Sequence, residues 1–282
     1  MRYYHWSFRA YTRFKFMLIV KVGGGKNINW DYIAEDLVNL IKKEKVVLIH
    51  GASSRRDEIA NLLNRRTKTV VSPSGISSVY TDSEALEVFL MVYAGLVNKQ
   101  IVANLRQYGL NAVGLSGVDG GLWQAKAKKE IFIKEGKKVK LLKNNLTGKV
   151  KEINIGLINL LLDNNYLPVI CPPAISYENE IVNTDNDWAT AVMAGSLKAE
   201  EIAVLFEAPG LLRNVSDKKT LIERIDKNRL EEYLAYANGR MKKKVLGAKK
   251  AFDLGVKKIY WGDGRIKNPI SSALAGKGTV IL

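Results

Sequence analysis

A single cysteine in 282 residues, Cys171 in "LPVICPP", excludes an intramolecular disulfide framework. That lack fits a reducing cytoplasm, and a lone thiol inside an apolar run reads as the cap of a buried strand. There are only two histidines, and no cysteine or histidine pairs at zinc-site spacing. His50 stands at a strand end without a partner for base chemistry, which gives it a structural reading. Apolar runs such as "VVLIH" and "NLLLD" fall far short of the roughly 20 residues that span a bilayer. Acidic residues are scarce: 28 Asp and Glu face 44 Lys and Arg, a formal charge of +16. Such a surface attracts anionic partners or reflects a lysine-rich solvated face. No aromatic RNA-binding box or basic zipper accompanies the charge, so nucleic acid is disfavoured.

What is present is ample apolar material, 47% of residues, enough for one large or two modest domains. The first sixteen residues, "MRYYHWSFRAYTRFKF", differ from the rest, with four Arg or Lys, no acid and many aromatics. They lack the apolar core and small-residue site of a signal peptide. They read as a basic aromatic extension ahead of a strand that opens at Met17, with an amphipathic membrane anchor as the sharper alternative.

From Met17 the pattern alternates. "LIVKV", "KVVLIHG", "NAVGLSG", "YLPVICPP", "EIAVLFE", "KKIYWGDG" and "GTVIL" read as buried strands. "WDYIAEDLVNLIKKE", "RDEIANLLNRR", a long stretch over 84–108, "IGLINLLLDNN", "DWATAVMAGSLKA", "DKNRLEEYLAYAN" and "MKKKVLGAKKAFDLG" read as helices. "SPSGISSVYTDSE" reads as a loop, and the lysine-flanked stretch over 128–150 as an antiparallel hairpin insertion. Continuous apolar strands alternating with helices predict a three-layer αβα sandwich around a mainly parallel sheet. A hinge is expected near Asn183–Asp187.

Ligands of such sheets bind beyond the carboxyl ends of the strands. Two strand ends carry glycine-bearing turns, "KVGGGK" and "HGASS", and glycine lets backbone N–H groups approach phosphate. Lys21 lies inside the first strand, where a charge is costly unless it faces a ligand or partner. The Walker pattern, the dinucleotide GxGxxG and the protein-kinase HRD and DFG set are all missing. "IVNTDNDWA" places Asn183, Asp185 and Asp187 at a helix start, as caps or as substrate-orienting groups. "GRMKKKVLGA" places Lys242, Lys243 and Lys244 at another helix start, against the helix dipole, which hints at an anionic ligand.

Taken in order, "KVGGG", "HGAS", "GISSVYTD", "NTDND", "FEAPG" and "GRMKKK" resemble the motifs of the amino acid kinase family, acetylglutamate kinase branch. "SPSGISSVYTD", "AVGLSGVDGG" and "LTGKVKEIN" are most similar to archaeal kinases of LysW-linked aminoadipate or glutamate. The resemblance runs from Met17 to Leu282 and implies the family's sandwich fold. It divides the chain into a substrate lobe, 17–186, and an ATP lobe, 187–282. It implies ATP-dependent phosphorylation, with Mg, of the side-chain carboxylate of a carrier-linked aminoadipate or glutamate to an acyl phosphate. The pathway implied is lysine or arginine biosynthesis, the partner a small acidic carrier, LysW, and the assembly a homodimer. The alternatives are a kinase of free acetylglutamate and a non-catalytic nucleotide-binding homologue.

The same resemblance implies roles for single residues. Lys21, Lys244 and Asp187 are the expected catalytic group. Gly51, Ala52, Ser53 and Asn183 are expected to hold the substrate, and Gly23, Gly24, Glu207 and Gly210 the nucleotide phosphates. No residue is expected to hold a metal. HGGG has become His50, Gly51, Ala52 and Ser53, which preserves backbone donors only if Ala52 and Ser53 avoid glycine-only backbone angles. Asp185 replaces an asparagine and Glu207 an aspartate. Val79 stands where the branch has an arginine that grips the substrate α-carboxylate, leaving Arg55 or Arg56 as candidate replacements.

Overall fold

The computed structural model describes residues 16–65, 67–237 and 239–282. The aromatic extension lies, save Phe16, outside the described residues. The first half runs β1 (Met17–Val22), α1 (Trp30–Leu40), β2 (Lys45–His50), α2 (Ser53–Leu62), β3 (Lys68–Val71), β4 (Ser77–Tyr80), α3 (Ser83–Phe89), α4 (Asn98–Gln107) and β5 (Ala112–Gly117). Then come β6 (Trp123–Lys128), β7 (Ile131–Glu135), β8 (Lys138–Leu142), β9 (Thr147–Ile153), α5 (Ile155–Asp163), β10 (Leu167–Ser176) and β11 (Ile181–Thr184). The remainder is α6 (Asn186–Ser196), β12 (Glu201–Phe206), β13 (Arg224–Ile225), α7 (Arg240–Asp253), β14 (Lys258–Asp263), α8 (Pro269–Leu274) and β15 (Thr279–Ile281).

One sheet collects most strands in the order β11-β9-β6-β10-β2-β1-β12-β14-β15-β13, with β5 also on β10. The run β5, β10, β2, β1, β12, β14 is parallel throughout, and β15 and β9 enter antiparallel to β14 and β6. Side-chain alternation explains the layers. Ile19, Val47, Ile49, Ile170, Ile202 and Val204 point to one face and pack with Ile158 of α5, Ala191 and Met193 of α6 and Val245 and Ala248 of α7. Leu18, Val20, Val46, Leu48, Val169 and Leu205 point to the other and pack with Ile33 and Leu37 of α1, Leu105 of α4 and Ile270 of α8. Each such residue, fully buried, contributes about 2 kcal/mol through the apolar area it withdraws from water.

Three elements differ from expectation. The stretch 72–84 is not a loop throughout: β3 and β4 pair antiparallel across a turn at Gly75. Its Ser and Gly content marks the turn but hides the short strands. The stretch 227–236 is a 3₁₀-helix, Lys227–Tyr236, rather than an α-helix. The long helix of 84–108 is continuous over Ser83–Gln107, with α3 and α4 joined by a π-helical segment, Leu90–Val97. By length and composition that helix could cross a membrane. It is a core element instead: Val88, Phe89, Val92, Ile101 and Leu105 are buried against the rest of the fold.

Candidate active site

Lys21 shares the parity of Ile19 in β1, so its side chain faces the layer of α6 and α7. There its Nζ donates to Asp187 Oδ1 at 2.7 Å. Asp187 sits in the first turn of α6, placed by Asp185, whose carboxylate caps the helix by accepting from Trp188 N at 2.9 Å. Lys244, in the first turns of α7, reaches the same Asp187 oxygen at 3.4 Å. The three side chains are nearly dry, with 5%, 16% and 10% of their surfaces exposed for Lys21, Asp187 and Lys244. Lys244 also stands over the Phe206 ring, 5.3 Å from its centroid.

One carboxylate between two ammonium groups gives them unequal proton affinities. Asp187 is held below the usual carboxylate range: burial opposes its charge, and Lys21 and Lys244 outweigh burial. For Lys21 burial likewise works against the charge, but Asp187 prevails and the pKa rises. Lys244, farther from Asp187, is pushed down to about 8, by burial first and then by Lys21, with Asp187 opposing.

The two glycine turns meet beside this cluster. Gly51 N donates to Val22 O at 2.9 Å, and Ser54 N donates to Gly24 O at 2.8 Å. A Cβ on Gly24 would fall 2.5 Å from Ala52 N and 2.3 Å from Ser53 N, so only glycine leaves those amides clear. α2 begins here without any side-chain cap, so its leading N–H groups keep their positive end. Ala52 adopts φ −146°, outside the left-handed region, and Ser53 opens the helix. HGAS therefore keeps its backbone without the glycines of HGGG. The Ser53 hydroxyl donates to Gly24 O at 3.1 Å and accepts from Arg240 Nη1 at 2.7 Å.

The other expected site residues fall as follows. Gly23 N donates to Leu205 O at 2.8 Å, extending the β1–β12 ladder. Glu207 accepts from Asn27 N at 2.7 Å and lies so close to Gly25 that a Cβ there would meet its carboxylate at 2.2 Å. Gly210 packs on Thr279 and Leu221. Asn183 lies in β11 and donates from Nδ2 to Thr81 Oγ1 at 3.0 Å. Val79 joins a small apolar cluster that includes Ala52, Phe89, Tyr93 and Cys171. Arg56 is buried, 5.0 Å from the Phe89 ring centroid, with its Nε on Asp57 at 2.9 Å; Arg55 pairs with Glu58 at 2.5 Å.

Both residues given a structural reading, His50 and Cys171, are buried. His50 is fully buried, its Nε2 3.0 Å from Asn98 Nδ2, and burial first, then Lys99, lowers its pKa to about 4. Burial pushes the Cys171 thiol well up. Sequence reasoning missed Gly247. A Cβ there would lie 3.0 Å from the Asp187 Cβ, so this glycine lets α7 close on α6 and brings Lys244 to Asp187. Its signal was a glycine in mid-helix, in "KVLGAKK". Thr81 and Arg240 were also missed as partners of Asn183 and Ser53; both lie inside quoted motifs, but their contacts are long-range.

A profile of the amino acid kinase family matches residues 17–260. The chain belongs to the amino acid kinase family. It is 46% identical over 276 residues to a protein of Deinococcus radiodurans named [LysW]-aminoadipate kinase, covering 98% of this chain and 94% of that one. A Thermus thermophilus protein of the same name is 44% identical, covering 94% of this chain and 100% of its own. An acetylglutamate kinase of Methanopyrus kandleri is 35% identical, with 94% and 100% covered. Among solved structures, a carbamate kinase from Giardia lamblia bound to AMP-PNP aligns with TM-score 0.67 at 17% identity, over 95% of this chain and 98% of that chain. That alignment places this kinase's sandwich in the family's fold.

Proposed function

We propose that this kinase transfers the terminal phosphoryl group of ATP to the side-chain carboxylate of an aminoadipate held on a LysW-type carrier protein, in lysine biosynthesis. The observation that carries the reading is the convergence of Lys21 and Lys244 on one Asp187 oxygen. The first belongs to the proposed substrate lobe, 17–186, and the other two to the proposed ATP lobe, 187–282. Two relatives at 46% and 44% identity bearing that name support the substrate class. Glutamate in place of aminoadipate, with a role in arginine biosynthesis, is supported more weakly by archaeal relatives at 36% identity or less, named for both substrates.

The chemistry needs no covalent intermediate and no general base, because a carboxylate is ionised at neutral pH. Its difficulty is repulsion: an anion attacks a polyanion. Lys21 and Lys244 neutralise charge on the transferring phosphoryl group from two sides, and Asp187 holds both ammonium groups in place before the nucleotide arrives. The uncapped head of α2, beside Gly24, suits the second anionic partner. Asn183, fixed by Thr81, orients the substrate. Gly24 gives clearance, and Glu207 shapes the first turn. The magnesium ion enters with ATP; no cluster of three carboxylate, histidine or cysteine side chains stands ready for a metal among the described residues, so no residue is assigned to it. Cytoplasmic location and a homodimer complete the proposal.

The deciding experiment measures ADP release with purified carrier bearing aminoadipate, the same carrier bearing glutamate, and free acetylglutamate. Turnover of the aminoadipate conjugate at the highest kcat/KM is expected. Preference for free acetylglutamate would replace this reading by that of the Methanopyrus relative.

A further inference from the structure

The chain's excess charge is not evenly spread. Residues 126–151 hold ten lysines and two glutamates, half of the excess of sixteen positive charges in less than a tenth of the sequence. This stretch contains the antiparallel β7–β8 hairpin, whose strands pair with each other and lie outside the main sheet. An isolated two-stranded ribbon is marginal in water and needs a neighbour. One face has one: Ile133 is buried, as is Val70 of the adjacent β3.

The opposite face has none among the described residues. Register and alternation put Phe132, Lys134, Val139 and Leu141 together there. Phe132, Val139 and Leu141 are 62%, 59% and 37% exposed. Three apolar side chains side by side on the ribbon, with Lys134 among them and Lys137 in the adjoining turn, have the make-up of a protein interface: an apolar centre with a charged rim. Ten lysines and no arginine in the stretch argue against bidentate phosphate recognition, the usual signature of nucleic acid. Charge complementarity selects an acidic protein.

The root of the hairpin joins this face to the substrate side of the site. Asn145, buried, donates to Lys128 O at 2.6 Å and Thr147 Oγ1 at 2.5 Å. Leu146 N donates to Thr81 O at 2.7 Å, and Asn183 N donates to Leu146 O at 2.9 Å. Tyr80 Oη adds a bond to Lys143 O at 2.8 Å. The strand leaving the hairpin is thus tied to both Thr81 and Asn183.

We propose that the outer face of the β7–β8 hairpin, centred on Phe132 and Val139 and rimmed by lysines, is the docking surface for an acidic carrier protein that presents the amino-acid substrate to the site. This deepens the function proposed above and rests on it for the partner's role. Docking sets affinity and the phosphoryl site sets turnover, so the two separate in experiment. The probe is fluorescently labelled LysW conjugated to aminoadipate, titrated against the full chain by anisotropy, with ADP release followed in parallel. Variants are K134E/K137E and F132S/V139S, checked for an unchanged melting temperature; both change only exposed side chains. The expected result is a Kd and a KM for the conjugate raised about tenfold in each variant, with the KM for ATP unmoved. Equal carrier binding by the wild type and both folded variants overturns the proposal, as does hairpin-dependent binding of a DNA duplex or an anionic phosphatidylserine vesicle without carrier binding. Hairpin-dependent binding of the conjugate without phosphoryl transfer leaves the docking surface standing and overturns the proposed reaction.

Discussion

Lys21 is the residue most legible in the sequence, because a charge inside an apolar strand demands a reason and strand parity says which face it serves. Its partner was less legible: Asp187 lies 166 positions away, and nothing local distinguishes it from a helix cap. Replacing Lys21 or Lys244 by Ala is expected to cut kcat about 100- to 1000-fold, the usual loss when one preorganised donor to developing charge is removed. Near-normal turnover by either folded variant would exclude the mechanism. Lys244, at about 8 in the free protein, must be protonated to act. Thus kcat/KM for ATP falls as pH rises through about 8, whereas kcat falls only at higher pH, because bound phosphate favours the ammonium form. Lys244→Arg should abolish the decline near 8 in the pH–rate profile. Asp187→Asn leaves two adjacent cations without their counter-charge, at a cost of about 3–5 kcal/mol in unfolding experiments. Added MgATP should recover part of that loss.

Among the elements, the apolar strands and most helices were readable from periodicity, and the two glycine turns from composition. The β3–β4 hairpin was not, since its four-residue strands carry Ser, Thr and Lys and have as a neighbour β7, remote in sequence. The close contact between the turns was likewise hidden, because it depends on what lies opposite Gly24 rather than on Gly24 itself. That contact makes Gly24→Ala a sharp test. The added methyl would strike the backbone of Ala52 and Ser53, with an expected loss of about 1–3 kcal/mol of stability in thermal unfolding. It should also raise KM for the substrates, since it crowds the uncapped head of α2. A variant as stable and as active as the wild type would mean that the head of α2 serves no ligand.

At the scale of the whole molecule, the order of motifs along the chain disclosed the family although each motif alone is weak. The formal charge of +16 was visible as a number, but half of it falls in residues 126–151, and only the pairing of β7 with β8 shows that this stretch is built around a separate ribbon. If that charge guides an acidic partner, kcat/KM for the carrier conjugate should drop about tenfold between low salt and 0.15 M ionic strength, where the screening length is about 8 Å. For free small substrates it should scarcely change. Asp187 has one consequence of a different kind. Two ammonium groups sharing a single carboxylate leave one positive charge unanswered in a recess that is nearly dry. Small oxyanions should settle there whenever the nucleotide is away. Sulfate in a crystallisation drop is one such guest, and orthophosphate shed by a hydrolysing acyl-phosphate product is another. The enzyme would then be slowed, competitively with ATP, by the breakdown of its own product.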